Sequence, residues 1–229
     1  MEQKRKRGSM EKASYLKRFA FCILGLVLYG FGCFLGVKAG AAGTNAWSTL
    51  AIGVSDISGM SYGTATFLIS LLIIGIDFLG KGKIGFGTLM NATLVSFFAD
   101  VFLSLTASIP SPSSMLAGAL CSLAGQVVIS FATILYLLPS LGAGPRDTLM
   151  IIVGKKFPKA PIGSVKLGVE VMALLPGLLL GAPFGLGTVL VMVLQASIFQ
   201  FACKITRYEP CSVSHEDIPE TCRRMAGKH

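Results

Sequence analysis

The chain has 229 residues, of which 53% are hydrophobic and only 14% charged, where a soluble domain carries about 25% charged residues. Its mean hydropathy is +0.72. That excludes a disordered chain, and the lack of a three- or seven-residue repeat excludes a fibrous rod. A polytopic membrane protein is left. The net charge of +9, from 20 Lys+Arg against 11 Asp+Glu, would suggest nucleic acid in a soluble protein. Here the charges are sorted by position, and no nucleic-acid partner is expected.

Residues 1–18 form a basic arm with Lys4, Arg5, Lys6, Arg7, Lys12, Lys17 and Arg18. A bilayer core needs about 20 apolar residues per helix, and six runs meet that need. They are Phe19–Val37, Tyr62–Gly80, Phe86–Leu105, Met115–Leu138, Ser164–Leu180 and Gly187–Cys203. The first is too long for a removable signal peptide and lacks its cleavage site. Lys and Arg gather in the arm, the 81–83 loop, the 146–159 segment and the tail, while the opposite face holds Lys38 alone. Positive loops stay inside, so the expectation is a multi-pass protein of the cell's inner (plasma) membrane with both termini cytoplasmic. The bilayer is then its surrounding partner. A homo-oligomer or a partner protein remains open.

The halves resemble each other. Gly85-Phe86-Gly87-Thr88-Leu89 recurs 100 residues on as Gly185-Leu186-Gly187-Thr188-Val189, and Gly43, Thr49 and Leu50 recur 99 on as Gly142, Thr148 and Leu149. Each copy, residues 19–106 and 115–206 about a 107–114 loop, holds three runs. An odd number makes the second copy enter from the opposite side. The expected fold is therefore an all-α membrane protein with six transmembrane helices in a 3+3 inverted repeat. Such repeats suit transporters, although duplication can also simply build a stable bundle.

Two matched segments, Lys38–Ser61 and Pro139–Gly163, are too long for turns, and their apolar stretches are too short to cross. Each is read as a short, re-entrant helix, tolerated at depth where it is buried in protein or lines a cavity. Asn45 is a good N-cap for the first. Pro145 suits the first position of the second, with Asp147 in its first turn and Lys155 and Lys156 beyond its last turn. The preceding glycines, Gly43 and Gly144, leave backbone N–H groups open to an anion, which Arg146 could grip bidentately. The alternative is an interfacial helix whose Arg146 and Asp147 pair locally. Trp47 matches Arg146 and reads foremost as an interfacial aromatic.

Charges within spans default to function with a named partner. Asp77 has Lys81 at i+4, a structural pair. Glu170 has Lys166 at i−4 on the same face, and both could join Arg146 and Asp147 in one network or in a neutralised cluster. Asp100 has no basic neighbour on its own helix, so Lys38 is its expected partner. Asn91, Gln126 and Gln195 should face the interior, and Pro176 should kink the fifth run. Gly32 and Gly36 suit close helix packing. Cys211, Cys222 and His215 match no compact zinc pattern, so no metal or cofactor is expected. No Walker loop, nucleophile elbow or His-Glu-x-x-His helix is present, so no enzyme is expected.

The run Leu141-Gly142-Ala143-Gly144-Pro145-Arg146-Asp147-Thr148-Leu149-Met150 resembles a segment of bacterial YczE-like membrane proteins, in the wider YczE/YitT group. So do Gly185-Leu186-Gly187-Thr188-Val189-Leu190 and Glu170 after Lys166. The resemblance covers Leu16 to Thr206, leaving the 207–229 tail outside. It implies a multi-span bacterial inner-membrane protein and no general activity. Where members often show Pro-Trp-Asp, this chain has Ala46-Trp47-Ser48, which weakens a symmetric charged site. The reading that follows is a permease for a small polar or anionic solute. Its candidate binding residues are Gly43, Asn45, Trp47, Gly144, Arg146, Asp147, Thr88 and Thr188. Lys166, Glu170, Asp100 and Lys38 form the candidate coupling or charge network, in which Glu170 or, if left unpaired, Asp100 would carry protons. The alternative is a non-transporting accessory that supports a partner enzyme complex.

Overall fold

The computed structural model describes residues 2–159, 162–208 and 215–226. The side chains of most of the basic arm, and Cys211, lie outside that description. Every described element is helical. In chain order these are α1 (Glu2–Lys38), α2 (Ala46–Ser58), α3 (Tyr62–Leu79), α4 (Phe86–Leu105), α5 (Met115–Leu137), α6 (Pro145–Lys156), α7 (Ile162–Leu179), α8 (Leu186–Thr206) and α9 (Ile218–Met225). Among the described residues, five helices are long and apolar enough to cross a bilayer: the 14–38 part of α1, α3, α4, α5 and α8. The fifth predicted run corresponds to α7, whose helix carries Pro176 inside it.

Local chemistry fixes the ends. Asn45 caps α2 by accepting from the Ser48 N–H at 2.9 Å, and Ser61 caps α3 by accepting from the Thr64 N–H at 3.1 Å. Gly144 precedes α6, with Pro145 at its first position, Asp147 in the first turn and Lys155 and Lys156 in the last. The middle of α4, Asn91–Val95, is one π-helical turn, a feature common near functional sites.

Helices α1 and α5 form the most extensive contact. Small residues allow it: a methyl added at Gly25 would lie 2.6 Å from the Tyr136 amide nitrogen, and one at Gly125 would lie 2.6 Å from the Gly32 carbonyl. The GxxxG pattern is thus used within the chain. Helix α4 leans on α1, and α8 on α5. The short helices are exchanged. α2 packs mainly on α7, and α6 on α3. Gly177 in α7 admits the α2 backbone at Leu50, and Gly80 beyond α3 admits Ile152 of α6. Pro176-Gly177 therefore serves a close approach that its counterpart Ile76-Asp77 does not need.

The two Gly-x-Gly-Thr stretches pack crosswise as well. Gly85 and Gly87 lie against Leu141 and Gly142, ahead of α6, and Gly185 and Gly187 lie against Ala41–Gly43, ahead of α2. Gly43 has φ +76°, a conformation glycine adopts without strain, and a methyl there would also collide with the Thr188 hydroxyl.

Two expected charge pairs do not form. Lys38 donates instead to the carbonyls of Thr106 (2.8 Å) and Ile109 (2.6 Å) just past the end of α4, where the helix dipole favours a cation. Asp100 accepts from the Ser61 hydroxyl and, at 2.6 Å, from the Gly63 N–H. The N-terminus of α3 thus supplies donors and a favourable dipole, and the lysine is not required. Asp77 makes no ion pair with Lys81 among the described residues. It is fully buried, and neither carboxylate oxygen has a hydrogen-bond partner.

The described tail, outside the family resemblance, docks onto the bundle. Glu216 accepts from Arg18 at 2.8 Å, Thr221 at 2.9 Å, Arg224 at 3.2 Å and the Tyr15 hydroxyl at 3.3 Å. Its N–H donates to the Ser140 carbonyl at 3.0 Å, and the Ile218 N–H donates to Ile84 at 3.1 Å.

Candidate functional site

A cavity of about 450 Å³ opens where α1, α5, α7 and α8 meet the starts of α2 and α6. It brings together Asn45, Trp47, Arg146, Asp147, Lys166 and Glu170, six of the residues singled out from sequence. Capping puts the first two there: Asn45 begins α2, so Trp47 falls in its first turn. Gly144 and Pro145 do the same for Arg146 and Asp147. Lys166 and Glu170, one turn apart on α7, face the same side. The volume falls in the range of about 300–1,000 Å³ usual for small-molecule sites.

Trp47 is a correction to the interfacial reading. The Arg146 guanidinium lies over its ring at 5.0 Å, a cation–π contact. The residues that match each other in the two short helices therefore meet across the cavity.

The start of α6 is less open to an anion than its glycines suggest. The buried Tyr136 hydroxyl accepts from the Gly144 N–H at 3.1 Å and donates to the Asp147 carboxylate at 2.8 Å. Gly43 and Gly144 do not line the cavity, and glycine at 43 answers to close packing. Thr88 and Thr188 are also placed elsewhere. Thr88 donates to the Ala143 carbonyl at 2.6 Å and accepts from the Gly85 N–H at 3.1 Å, which locks the crosswise contact. Thr188 is buried against Gly43, and its hydroxyl lacks a hydrogen-bond partner. Lys38 and Asp100 are not among the cavity residues.

Arg146, Asp147, Lys166 and Glu170 all line the cavity, yet among the described residues none of them pairs with another. The neutralised-cluster reading thus finds no ion pair. Glu170 is 8% exposed, and among the described residues its Oε2 has no hydrogen-bond partner. The Tyr208 hydroxyl and His215 Nδ1, which also line the cavity, are likewise buried without partners among the described residues. Buried polar groups are normally satisfied, so three such atoms around one cavity set it apart among the described residues. Gln126 and Gln195 line it too, as expected from sequence. Half-buried Asn91, which opens the π-helical turn, lies beside Gly144.

Sequence reasoning missed Tyr29, Tyr136, Tyr208 and His215. Tyr29 and Tyr136 had a signal, since a phenol in an apolar run normally finds a partner when buried. His215 had none, because a polar tail carries no periodicity that would reveal docking. Burial pushes the His215 imidazole below its ordinary range, with the nearby Asp147 carboxylate opposing and Lys83 adding to that effect.

The five long apolar helices and the many large apolar side chains exposed on the described residues define an integral membrane protein of several apolar helices. The chain belongs to the family described as "Family of unknown function (DUF6198)", whose model matches residues 16–204. An "Uncharacterized protein" of Haemophilus influenzae is 32% identical over 86% of this chain and 88% of its own length. The "Uncharacterized membrane protein YczE" of Bacillus subtilis is 28% identical over 83% of this chain and 87% of its own. The "Uncharacterized protein YyaS" of the same organism is 26% identical over 77% and 88%. No solved structure matches.

Proposed function

We propose that the chain is a six-span, inverted-repeat permease of the inner membrane, with both termini cytoplasmic, and that its solute binds in the cavity between the halves. α7 is counted as the sixth span. The crosswise packing supports the repeat, because α2 on α7 is matched by α6 on α3, and each Gly-x-Gly-Thr stretch meets the other half's loop. The observation that carries the transport reading is the set of unpaired charges and unpartnered polar atoms around one cavity, to which both short helices contribute. Two halves that share one site can expose it to either face in turn. The chain is proposed to need no metal, cofactor or catalytic step.

The test is efflux from proteoliposomes loaded with a broad metabolite mixture, followed by mass spectrometry. Loss of a selected solute through the wild type, abolished in Arg146→Gln of unchanged melting temperature, is the expected result. If no solute leaves faster than from protein-free liposomes, the permease reading fails, and the accessory role is taken up with a search for partner proteins.

A further inference from the structure

The cavity is not simply a receptor for anions. It carries two cations, Arg146 and Lys166, and two anions, Asp147 and Glu170. Asp147 is committed to the Tyr136 hydroxyl. Among the described residues, Arg146 makes no side-chain hydrogen bond and has only the Trp47 ring beneath it. Glu170 is more than nine-tenths buried, with Oε2 unpartnered. Lys166, one turn from Glu170, supplies it a counter-charge but no ion pair among the described residues, so one guanidinium and one carboxylate oxygen stand available in the same enclosure. The remaining wall is mixed: Gln126, Ser130, Thr133 and Gln195 are polar, while Ile129, Leu137 and Phe199 offer apolar surface.

Removing charges from water is costly unless each finds a partner. An anion would satisfy Arg146 and be repelled by Glu170. A cation would do the reverse, and a neutral solute would leave Arg146 without a counter-charge and Glu170 with Lys166 alone. A zwitterion satisfies both through charge-assisted hydrogen bonds. We propose that the ligand is a zwitterion with an apolar body, an α-amino acid or short peptide bearing an aliphatic or aromatic side chain. Its carboxylate meets Arg146, its ammonium meets Glu170, and its side chain lies on Ile129, Leu137 and Phe199. The proposal rests on the permease reading and names the substrate class of that site.

Trp47 is the chain's only tryptophan and lines the cavity, so its fluorescence reports occupancy at the site itself. The full chain in detergent is titrated with L-leucine, L-leucyl-L-leucine, 4-methylpentanoate (no ammonium) and 3-methylbutylamine (no carboxylate). One of the zwitterions is expected to bind at least about tenfold tighter than either single-charge analogue. The leucine and dipeptide arms distinguish free amino acid from peptide. Glu170→Gln is expected to weaken the zwitterion about tenfold and to leave 4-methylpentanoate no weaker. Arg146→Gln is expected to weaken the zwitterion and spare 3-methylbutylamine.

If 4-methylpentanoate binds as tightly as the zwitterions and Glu170→Gln changes nothing, the zwitterion is overturned and an anion permease stands. If none of the four probes binds protein that melts cooperatively, the class is overturned. The permease reading is then decided separately by efflux of the metabolite mixture.

Discussion

Glu216 collects Arg18, Thr221, Arg224 and Tyr15 around a carboxylate whose side chain is 5% exposed. Removing the acceptor leaves several donors unsatisfied, while removing one exposed donor leaves the rest in place. Glu216→Ala should therefore weaken tail docking by about 2–3 kcal/mol. Arg224→Ala, whose side chain is 51% exposed, should cost under about 1 kcal/mol. Hydrogen exchange of the α9 amides measures both. His215 gives the same docking a pH dependence. Its pKa is lowered when docked, so the undocked tail binds more protons below about pH 6.5. Docking is fully stable above that pH and loses stability as pH falls through about 6.5 towards the depressed docked value. Exchange in α9 should quicken on acidification, and His215→Gln should flatten the response. An unchanged profile in His215→Gln would assign the effect to another group.

The short helices show what was legible in the chain and what was not. Asn45 and Gly144-Pro145 announce helix starts through capping chemistry, and these starts bring Trp47 and Arg146 to the cavity. The pairing of Lys38 with Asp100 misled because charge was matched with charge, while the actual partners were backbone groups at helix ends. Those groups become visible only once α3 and α4 lie side by side. Tail docking escaped notice because Arg18 and Glu216 are 198 residues apart and no local pattern links them. The crosswise contacts can be tested by adding single methyl groups. A Cβ at Gly87 would lie 2.7 Å from the Gly142 carbonyl, and one at Gly177 would lie 2.7 Å from the Leu50 amide nitrogen. Gly87→Ala and Gly177→Ala should each destabilise by about 1–3 kcal/mol through overpacking. At Gly75 and Gly168 nothing lies within 4 Å of an added Cβ. Alanine there should be neutral or stabilising by up to about 1 kcal/mol, as helix propensity favours it. Thermal melting in one detergent compares all four.

On the scale of the molecule, large apolar side chains face outward. Leu72 is 67% exposed, Phe78 73% and Leu179 87%, as suits a surface solvated by lipid, while charged and amide groups turn towards the cavity. Neither half covers its own short helix completely. α2 relies on Gly53 fitting under Gly177 and Leu180, and those residues are translated more than 100 positions later. A ribosome making this chain therefore completes α2 well before its seat exists, and the first four helices must wait half-assembled for the rest. Cut within the 110–113 loop, either fragment produced alone should be degraded quickly, and the two produced together should accumulate as one particle. A stable first fragment on its own would show that the halves mature independently. For such a protein, the interval between synthesis of α2 and of α7 is the period of greatest exposure to membrane proteases.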